Sequence, residues 1–477
     1  MRALLLAPLA FSLAAQSPKE MVTTLKDQQS LAVTIYNDNL ALVKDQREVK
    51  LDKGNQALAF QEVSAQIRPE TALLRNLTLP KDFWVVEQNF DFDLLTPTKL
   101  LEKYVGQKVL IVRSIPNTEG AGAKELREEA TVLATNNGVV LQFADRIETS
   151  APGRIVYPKV PENLRARPTL VVNLHSAAEK SQKLELSYLT GGLAWKADYV
   201  ANLAADEKTL DLSGWVTLTN QSGATYPNAT LQLVAGDVNR VQPRRQNIQM
   251  SMAKSMRAEA APEMKEESLF EYHLYTLDRP TTIKENQTKQ VALLSAANVP
   301  IRKEYLLKGD SYYYQGSYGD LGDKVKVGVF VEFDNRTESR MGMPLPKGIV
   351  RVYKRDSQGR AQFVGEDAID HTPKNELVRL KLGDAFDVTA RRKQSDYKSL
   401  GKQGTWGNVY EMAFEVVVKN AKKEAVTVAI QEPIYGDWEI IQKSHAFTKE
   451  AAGTAKFKVE VPAEGSATLT YRVRVKW

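Results

Sequence analysis

A strict alternation of apolar and polar side chains runs through residues 188–237 and sets the pattern for most of the chain. In its middle run, one set of alternate positions holds Leu210, Leu212, Gly214, Val216 and Leu218, and the other holds Asp211, Ser213, Trp215, Thr217 and Thr219. Because successive side chains leave a strand on opposite faces, this period of two predicts a half-buried strand. Breaks at Gly191-Gly192, residues 204–208 and residues 220–228 predict the turns between three such strands.

The same alternation recurs before this stretch. Short runs from Leu31 to about Val86, separated by turn residues at 37–39 and 53–55, predict a small antiparallel β unit. A brief helix is predicted over Pro97–Tyr104, with Thr96 as its N-cap. The Asn136-Asn137-Gly138 sequence between two apolar runs predicts a hairpin, and a second glycine-containing turn is expected at 117–122.

Strand patterns continue to the last residue. Alternate apolar positions predict strands at 269–277, 289–294, 325–333, 349–354, 377–382, 409–419, 425–431 and 455–461. The runs at 412–418 and 426–430 flank a short polar turn and predict one hairpin of a sandwich. Leu469, Tyr471, Val473 and Val475 share one face of the final strand, which therefore has a buried side.

The fold class predicted from these patterns is mainly β: a small N-terminal β unit and an SH3/Sm-like barrel, followed by β-sandwich domains that are partly immunoglobulin-like. The predicted segments are a signal peptide at 1–15, an N-terminal β unit at 16–90, a small barrel-like domain at 91–168, a central β domain at 169–320 and a C-terminal β-sandwich at 321–477.

Residues 238–267 break the pattern. They contain four methionines, a block of basic residues and then a block of acidic residues, with no aromatic side chain and no sustained period. Such a segment buries too little surface to offset the entropy of ordering itself, so a disordered loop is predicted there.

The N-terminal residues and the composition of the chain predict its cellular location. Met1-Arg2, an apolar run from Ala3 to Leu13 and small residues near Ala15 follow the order of a secretory signal peptide, which predicts an exported periplasmic or extracellular protein. The chain has 477 residues and no cysteine, so burial and hydrogen bonding must hold each domain without disulfides. A net charge of +6, spread along the chain, gives no reason to expect nucleic acid, and no later apolar run is long enough to span a bilayer.

No assembled catalytic or metal motif is present. The four histidines, His175, His273, His371 and His445, lack the spacing of a helical zinc site, and a thiolate site is impossible without cysteine. We interpret His371, between Asp370 and Thr372, as part of a turn before proline. Serine hydrolase and nucleotide-binding signatures are absent, so no catalytic residue, cofactor or metal is assigned.

The composition of residues 308–324 predicts a recognition surface. Between Lys308 and Lys324, four tyrosines lie among glycines and three aspartates, namely Tyr312, Tyr313, Tyr314 and Tyr318. Tyrosine offers a large apolar face with a polar tip, which suits sugars and protein partners. Two alternatives stay open: the tyrosines cap the sandwich core, or the aspartates bind calcium, although their spacing is not that of an EF-hand.

The run from Leu189 to Trp195, with Tyr199 and residues 210–215, resembles the bacterial family called domain of unknown function 4139, and more distantly the mucoidy-inhibitor A proteins. Later segments agree in order, including residues 272–275, 350–353, 370–374 and 383–387. The resemblance implies a secreted or periplasmic, mainly β protein, and it carries no activity or catalytic residue.

These observations predict an exported, non-enzymatic envelope protein with a binding or structural role. Its candidate partners are envelope polysaccharide and another envelope protein. The alternatives are an envelope glycan or peptide hydrolase that uses loop carboxylates, which need only lie about 5–10 Å apart in space, and an outer-membrane-associated β protein.

Overall fold

The alternating pattern folds as predicted into strands, and the protein is mainly β. The computed structural model describes residues 20–91, 93–116, 123–161, 164–236, 239, 264–403 and 406–476. These residues form thirty-one strands, one α-helix and three short 3₁₀ turns at Leu25–Asp27, Pro69–Thr71 and Ser311–Tyr314. No helix in these ranges is both long enough and apolar enough to cross a membrane. The SH3/Sm-like and immunoglobulin-like comparisons and the five segment boundaries stay predictions.

The chain divides into two compact units. The first contains the described residues up to Ala194, together with Leu218–Leu233 and Arg279–Lys289. The second contains Trp195–Thr217, the described part of 234–278 and the described residues from Gln290 onward.

The first unit begins with six strands, followed by helix α1 (Pro97–Lys103) and five short strands. The first six are β1 (Glu20–Thr23), β2 (Gln28–Tyr36), β3 (Leu40–Leu51), β4 (Gly54–Gln61), β5 (Leu73–Asn76) and β6 (Phe83–Asp91). The next five are β7 (Lys108–Pro116), β8 (Ala123–Ala134), β9 (Val140–Gln142), β10 (Ile147–Glu148) and β11 (Arg154–Val156).

The middle of the chain supplies eight further strands. They are β12 (Thr169–Ser176), β13 (Lys180–Thr190), β14 (Leu193–Leu203), β15 (Thr209–Asn220), β16 (Tyr226–Ala235), β17 (Lys265–Leu269), β18 (Tyr272–Thr276) and β19 (Thr281–Ile283). Within the first unit, one sheet has the order β1-β4-β12-β6, and another runs β16-β2-β3-β13-β5 with β19 beside β16. A separate sheet, in the order β10-β9-β8-β7-β11, surrounds a small core that includes Tyr104, Ile111 and Leu141.

Local signals in the first unit act as the sequence predicts. The Thr96 side chain accepts a hydrogen bond from the Lys99 backbone N–H at 3.1 Å and starts α1. The Asn136–Gly138 turn joins β8 to β9 as an antiparallel pair. Gly192 turns the chain between β13 and β14 at φ +78, and a Cβ there would lie 2.5 Å from the Ser222 Cα. The turn predicted at 117–122 lies outside the described residues.

The last twelve strands belong largely to the second unit. They are β20 (Gln287–Pro300), β21 (Arg302–Lys308), β22 (Asp320–Asp334), β23 (Gly348–Arg355), β24 (Ala361–Ile369), β25 (Leu377–Gln403), β26 (Trp406–Asn420), β27 (Val426–Pro433), β28 (Asp437–Lys443), β29 (Phe447–Ala451), β30 (Thr454–Val461) and β31 (Gly465–Lys476). One sheet has the order β20-β15-β14-β23-β24, with β14 and β23 parallel. The other has the order β28-β31-β26-β25-β22-β21-β27-β30-β29.

The predicted burial of the central strand is confirmed. Leu210, Leu212, Val216 and Leu218 are buried, and Trp215 on the opposite face is half-buried. Trp195 is buried on β14, on the same face as Leu193 and Ala197.

The predicted hairpin of residues 412–418 and 426–430 is wrong. β26 pairs with β25 and β31, whereas β27 pairs with β21 and β30. Both strands present their apolar faces to the same core, as a hairpin would, but three other strands separate them in the sheet. The connection is held by Asn420, whose side-chain amide donates to the carbonyl oxygens of Glu424 at 2.8 Å and Pro462 at 3.0 Å.

The disordered loop predicted at 238–267 extends too far toward the C-terminus. Lys265–Leu269 forms β17, which pairs with β18, and Met264 is buried. A hairpin partner thus orders residues whose composition alone predicts disorder. The remainder of the predicted loop, apart from Asn239, lies outside the described residues.

Candidate recognition surface

The predicted tyrosine loop connects β21 to β22 in the second unit. A short 3₁₀ turn at Ser311–Tyr314 divides its tyrosines between the core and the surface. Tyr313 and Tyr314 are buried members of the hydrophobic core of the nine-stranded sheet. Tyr312 and Tyr318 keep 43% and 39% of their surface exposed. Tyr313 and Tyr314 therefore cap the sandwich core. For Tyr312 and Tyr318, a recognition role stays a prediction.

The two exposed rings are fixed relative to each other. Tyr312 and Tyr318 lie edge to face with ring centroids 5.5 Å apart, and Tyr312 also packs edge to face on Tyr313 at 4.6 Å. Edge-to-face geometry places the positive edge of one ring against the negative face of the other, which stabilises the pair. The exposed aromatic surface thus rests on a buried ring.

Gln394 on β25 fastens the loop to the sheet. Its side-chain oxygen accepts a hydrogen bond from the Tyr318 backbone N–H at 2.5 Å, and its side-chain amide donates to the Gly316 carbonyl oxygen at 3.0 Å. The Gln394 side chain is itself buried, and both bonds are partly shielded from competing water. The backbone carrying Tyr318 is consequently held by one side chain of the scaffold.

Two strand tyrosines extend the exposed pair. Tyr397 on β25 and Tyr410 on β26 are half-buried at the rim of the same core, with ring centroids 5.8 Å apart. Burial raises the pKa of Tyr397, and the neighbouring Tyr410 and Tyr318 raise it further. We call Tyr312, Tyr318, Tyr397 and Tyr410 the tyrosine surface. The sequence pattern did not reveal the last two, because each is a single tyrosine within a strand.

A buried ion pair lies beneath the tyrosine loop. Arg392 on β25 donates from Nη1 to Oε1 of Glu432 on β27 at 2.5 Å, and both side chains are fully buried. The Tyr314 hydroxyl donates to Oε2 of Glu432 at 2.8 Å and lies 2.8 Å from the Tyr471 hydroxyl. The Arg392 guanidinium also lies 5.0 Å from the centre of the Tyr313 ring, within the range of a cation–π contact.

The electrostatics of this cluster follow from its burial. Burial raises the pKa of Tyr314 well above its ordinary value, and the charge of Glu432 raises it further. Burial alone would lower the pKa of Arg392, but attraction to Glu432 outweighs that effect and raises it. The Tyr314 hydroxyl therefore stays neutral and can donate, and the Arg392 guanidinium stays charged. Gly309 passes close by, since a Cβ there would meet Glu432 Oε2 at 2.3 Å.

Two of the three aspartates in this stretch pair with an arginine. Arg391 pairs with Asp323 at 2.8 Å and with Asp320 at 3.5 Å. Within the described ranges, no group of three or more His, Cys, Asp or Glu side chains is arranged to hold a metal ion. The calcium alternative therefore gains no support from the loop.

His371 lies in the connection between β24 and β25, and the turn residues follow it at 374–375. The Thr372 hydroxyl donates to the Asp370 carbonyl oxygen at 2.8 Å, and the Lys347 backbone N–H donates to Nδ1 of His371 at 3.3 Å. These local bonds stabilise the chain before Pro373.

The sequence of these strands matches a known family. The family described as "Domain of unknown function (DUF4139)" matches residues 184–477, which is more than half of the chain. The chain belongs to this family. Comparison with curated proteins finds no match.

The DUF4139 match covers the tyrosine surface, the Arg392–Glu432 pair and all of β21–β31. The more distant resemblance to the mucoidy-inhibitor A proteins stays a prediction. In this DUF4139 protein, the tyrosine surface presents aromatic faces and phenol hydroxyls that are held in place by buried side chains. Such a surface suits a ligand that is partly apolar and partly hydroxylated.

Proposed function

We propose that this DUF4139 protein is an exported β protein that binds envelope polysaccharide through its tyrosine surface. The observation that carries the proposal is the edge-to-face pair of Tyr312 and Tyr318, exposed at its outer side and supported from below by Tyr313. A tyrosine held in place loses little conformational entropy on binding, so its contact area contributes efficiently to affinity.

Sugar rings suit this surface for two chemical reasons. The apolar C–H faces of a pyranose can pack on tyrosine rings, while its hydroxyls can exchange hydrogen bonds with the phenol groups. Export places the protein where such polymers occur, and it rests on the signal-like order of residues 1–15. That segment lies outside the described residues.

The hydrolase alternative draws no support from the acidic side chains. A glycosidase general acid needs a raised pKa so that it carries its proton near neutral pH. Among the described residues, every Asp or Glu whose pKa shift is resolved is shifted downward by hydrogen bonds and nearby cations. These residues are Asp93, Glu128, Glu207, Asp334, Asp356, Asp396 and Glu450.

Binding assays on the intact mature protein test the proposal. Purified envelope polysaccharides are titrated against the native protein and against Tyr312→Ala and Tyr318→Ala. Because truncating a central aromatic contact commonly costs about 2 kcal/mol, each variant should bind at least tenfold more weakly. Tyr435→Ala is the matched control, since Tyr435 is 62% exposed and is not part of the tyrosine surface.

Two outcomes would contradict the proposal. One is that the native protein binds none of the polysaccharides. The other is that Tyr312→Ala and Tyr318→Ala bind as tightly as the native protein and Tyr435→Ala. Circular dichroism on each variant separates lost binding from lost folding.

A further inference from the structure

A cleft in the second unit shares no residue with the tyrosine surface. It has a volume of about 190 Å³, well above the roughly 10–15 Å³ that a single water needs on the same measure. Its walls come from both sheets of this unit and are mainly aliphatic, formed by Leu203, Ile301, Val329, Val331, Val364 and Leu382. This space accommodates a short alkyl chain and not a full membrane lipid.

A carboxylate held between two ammonium groups also lines the cleft. Glu207 lies in the turn between β14 and β15 at φ +57, and its Oε2 lies 2.5 Å from the Lys303 Nζ. Its Oε1 lies 2.5 Å from the Lys354 Nζ. Burial opposes ionisation of Glu207, but hydrogen bonds from the two lysines and their charges outweigh it, and its pKa falls to about 2. The three side chains together carry one excess positive charge.

The remaining charged residue of the cleft does not cancel that excess. Asp384 lines the cleft and has its own cations, Lys326 at 3.5 Å and Lys381 at 3.6 Å. The aliphatic wall therefore lies beside two lysines that share a single carboxylate. An anionic head joined to an apolar tail complements this arrangement in both charge and hydrophobicity.

We propose that the cleft binds a short-chain alkyl carboxylate, whose tail lies on the aliphatic wall and whose head contacts Lys303 and Lys354. Glu207 then acts as an internal competitor, because its carboxylate occupies the position between the two ammonium groups that the ligand head needs. Removing that competitor and removing the lysines have opposite effects on affinity, which distinguishes this site from nonspecific hydrophobic binding.

The test uses butanoate, hexanoate, octanoate and hexan-1-ol as probes, with binding to the mature protein followed by NMR chemical shifts or calorimetry. A buried methylene contributes about 0.8 kcal/mol, so affinity should rise about fourfold per methylene until the cleft is full. Hexanoate should bind at least tenfold more tightly than hexan-1-ol, because the alcohol lacks the charge. Val364→Ser, at an exposed part of the wall, should reduce the gain per methylene.

Three charge variants complete the test. Glu207→Gln should bind hexanoate at least threefold more tightly than the native protein, whereas Lys303→Met and Lys354→Met should each bind at least tenfold more weakly. Lys398→Met is the matched control, because Lys398 is exposed in the same unit and does not line the cleft. Tyr312→Ala should leave hexanoate binding unchanged, so failure of the tyrosine surface and failure of this site are distinguishable.

The proposal is overturned if neither the native protein nor Glu207→Gln binds any carboxylate probe. It is also overturned if Glu207→Gln binds hexanoate no more tightly than the native protein, or if the lysine variants behave like Lys398→Met. Where Glu207→Gln does not fold, the native titrations decide the question. Equal affinity for hexanoate and hexan-1-ol, or no dependence on chain length, then contradicts the site.

Discussion

The hydroxyl of Tyr314 donates a hydrogen bond to Oε2 of Glu432 at 2.8 Å inside the C-terminal core. This bond links the predicted recognition loop to a carboxylate that is paired on its other side with Arg392. The loop is therefore anchored through a charge-assisted bond, of a kind that is shorter and stronger than one between neutral groups.

Tyr314→Phe should lower the free energy of unfolding by about 1.5–3 kcal/mol, because it removes a buried hydrogen bond to a charged group. Urea denaturation measures the change. Tyr435→Phe removes the same atom from a largely exposed tyrosine and should stay within about 0.5 kcal/mol of the native protein. Equal stability of the two variants would show that the Tyr314–Glu432 bond contributes nothing.

Arg392→Met should destabilise the protein by about 3–5 kcal/mol, because it leaves Glu432 as an unpaired buried charge. Arg392→Met combined with Glu432→Leu should be more stable than Arg392→Met alone, since the unpaired charge is then gone and the Tyr314 and Tyr471 hydroxyls retain each other. A double-mutant cycle of urea denaturations measures the coupling. Additive losses would contradict direct pairing in the core.

Trp195→Ala should cost about 3–5 kcal/mol, because the Trp195 side chain is buried in the sheet and its removal leaves a cavity. Trp215 is half-buried, so Trp215→Ala should cost clearly less. Both are expected to stabilise the scaffold and not to contact ligand. Unchanged melting temperatures together with lost polysaccharide binding would instead assign the tryptophans to a recognition site.

Acid should remove the stabilisation that Glu207 provides. The pKa of Glu207 is lowered to about 2 in the folded protein from an ordinary value of 4.5, so its contribution is present above about pH 4.5. The contribution is lost as the pH falls through the folded-state pKa. The stability difference between the native protein and Glu207→Gln should therefore shrink between pH 5 and pH 2. A difference that is constant over this range would rule out the lowered pKa.

Export should remove the N-terminal segment, so that the mature chain begins near Ala15 or Gln16. Intact-mass analysis or N-terminal sequencing of protein from an envelope fraction measures the start. Replacing Leu4, Leu5 and Leu6 by Asp interrupts the apolar run and should leave the uncleaved chain in the cytoplasm. Met1 retained on a purely cytoplasmic native pool would contradict export.

Strand alternation predicted which positions are buried more reliably than which strands are neighbours. Val416 and Val428 are both buried as expected, yet their strands are not paired. Two consecutive strands that pair as a hairpin, and two that face each other across a core, both need an apolar inner face and a polar turn between them. Only the long-range ladders of β25 and β21 distinguish the two, and no local pattern encodes those ladders.

The buried charges have a signal in the sequence that comes from strand periodicity and not from a motif. Val388 and Ala390 lie on the inward face of β25, and the same period of two places Arg392 there as well. Val428, Ile430 and Glu432 follow the same rule on β27. A cation and an anion at inward positions of two strands predict a buried pair, because an unpaired charge would be too costly there. That the two strands face each other could not be predicted.

The parallel ladder that joins Tyr305–Lys308 to Val428–Gln431 fixes an order of events during synthesis. More than a hundred residues separate its two sides, so at about 5–20 residues per second β21 waits on the order of ten seconds for its partner strand. Glu432 emerges at the end of that interval, and until then Tyr314 lacks the carboxylate that anchors it. The support of the tyrosine surface is thus completed only after most of the chain has been made.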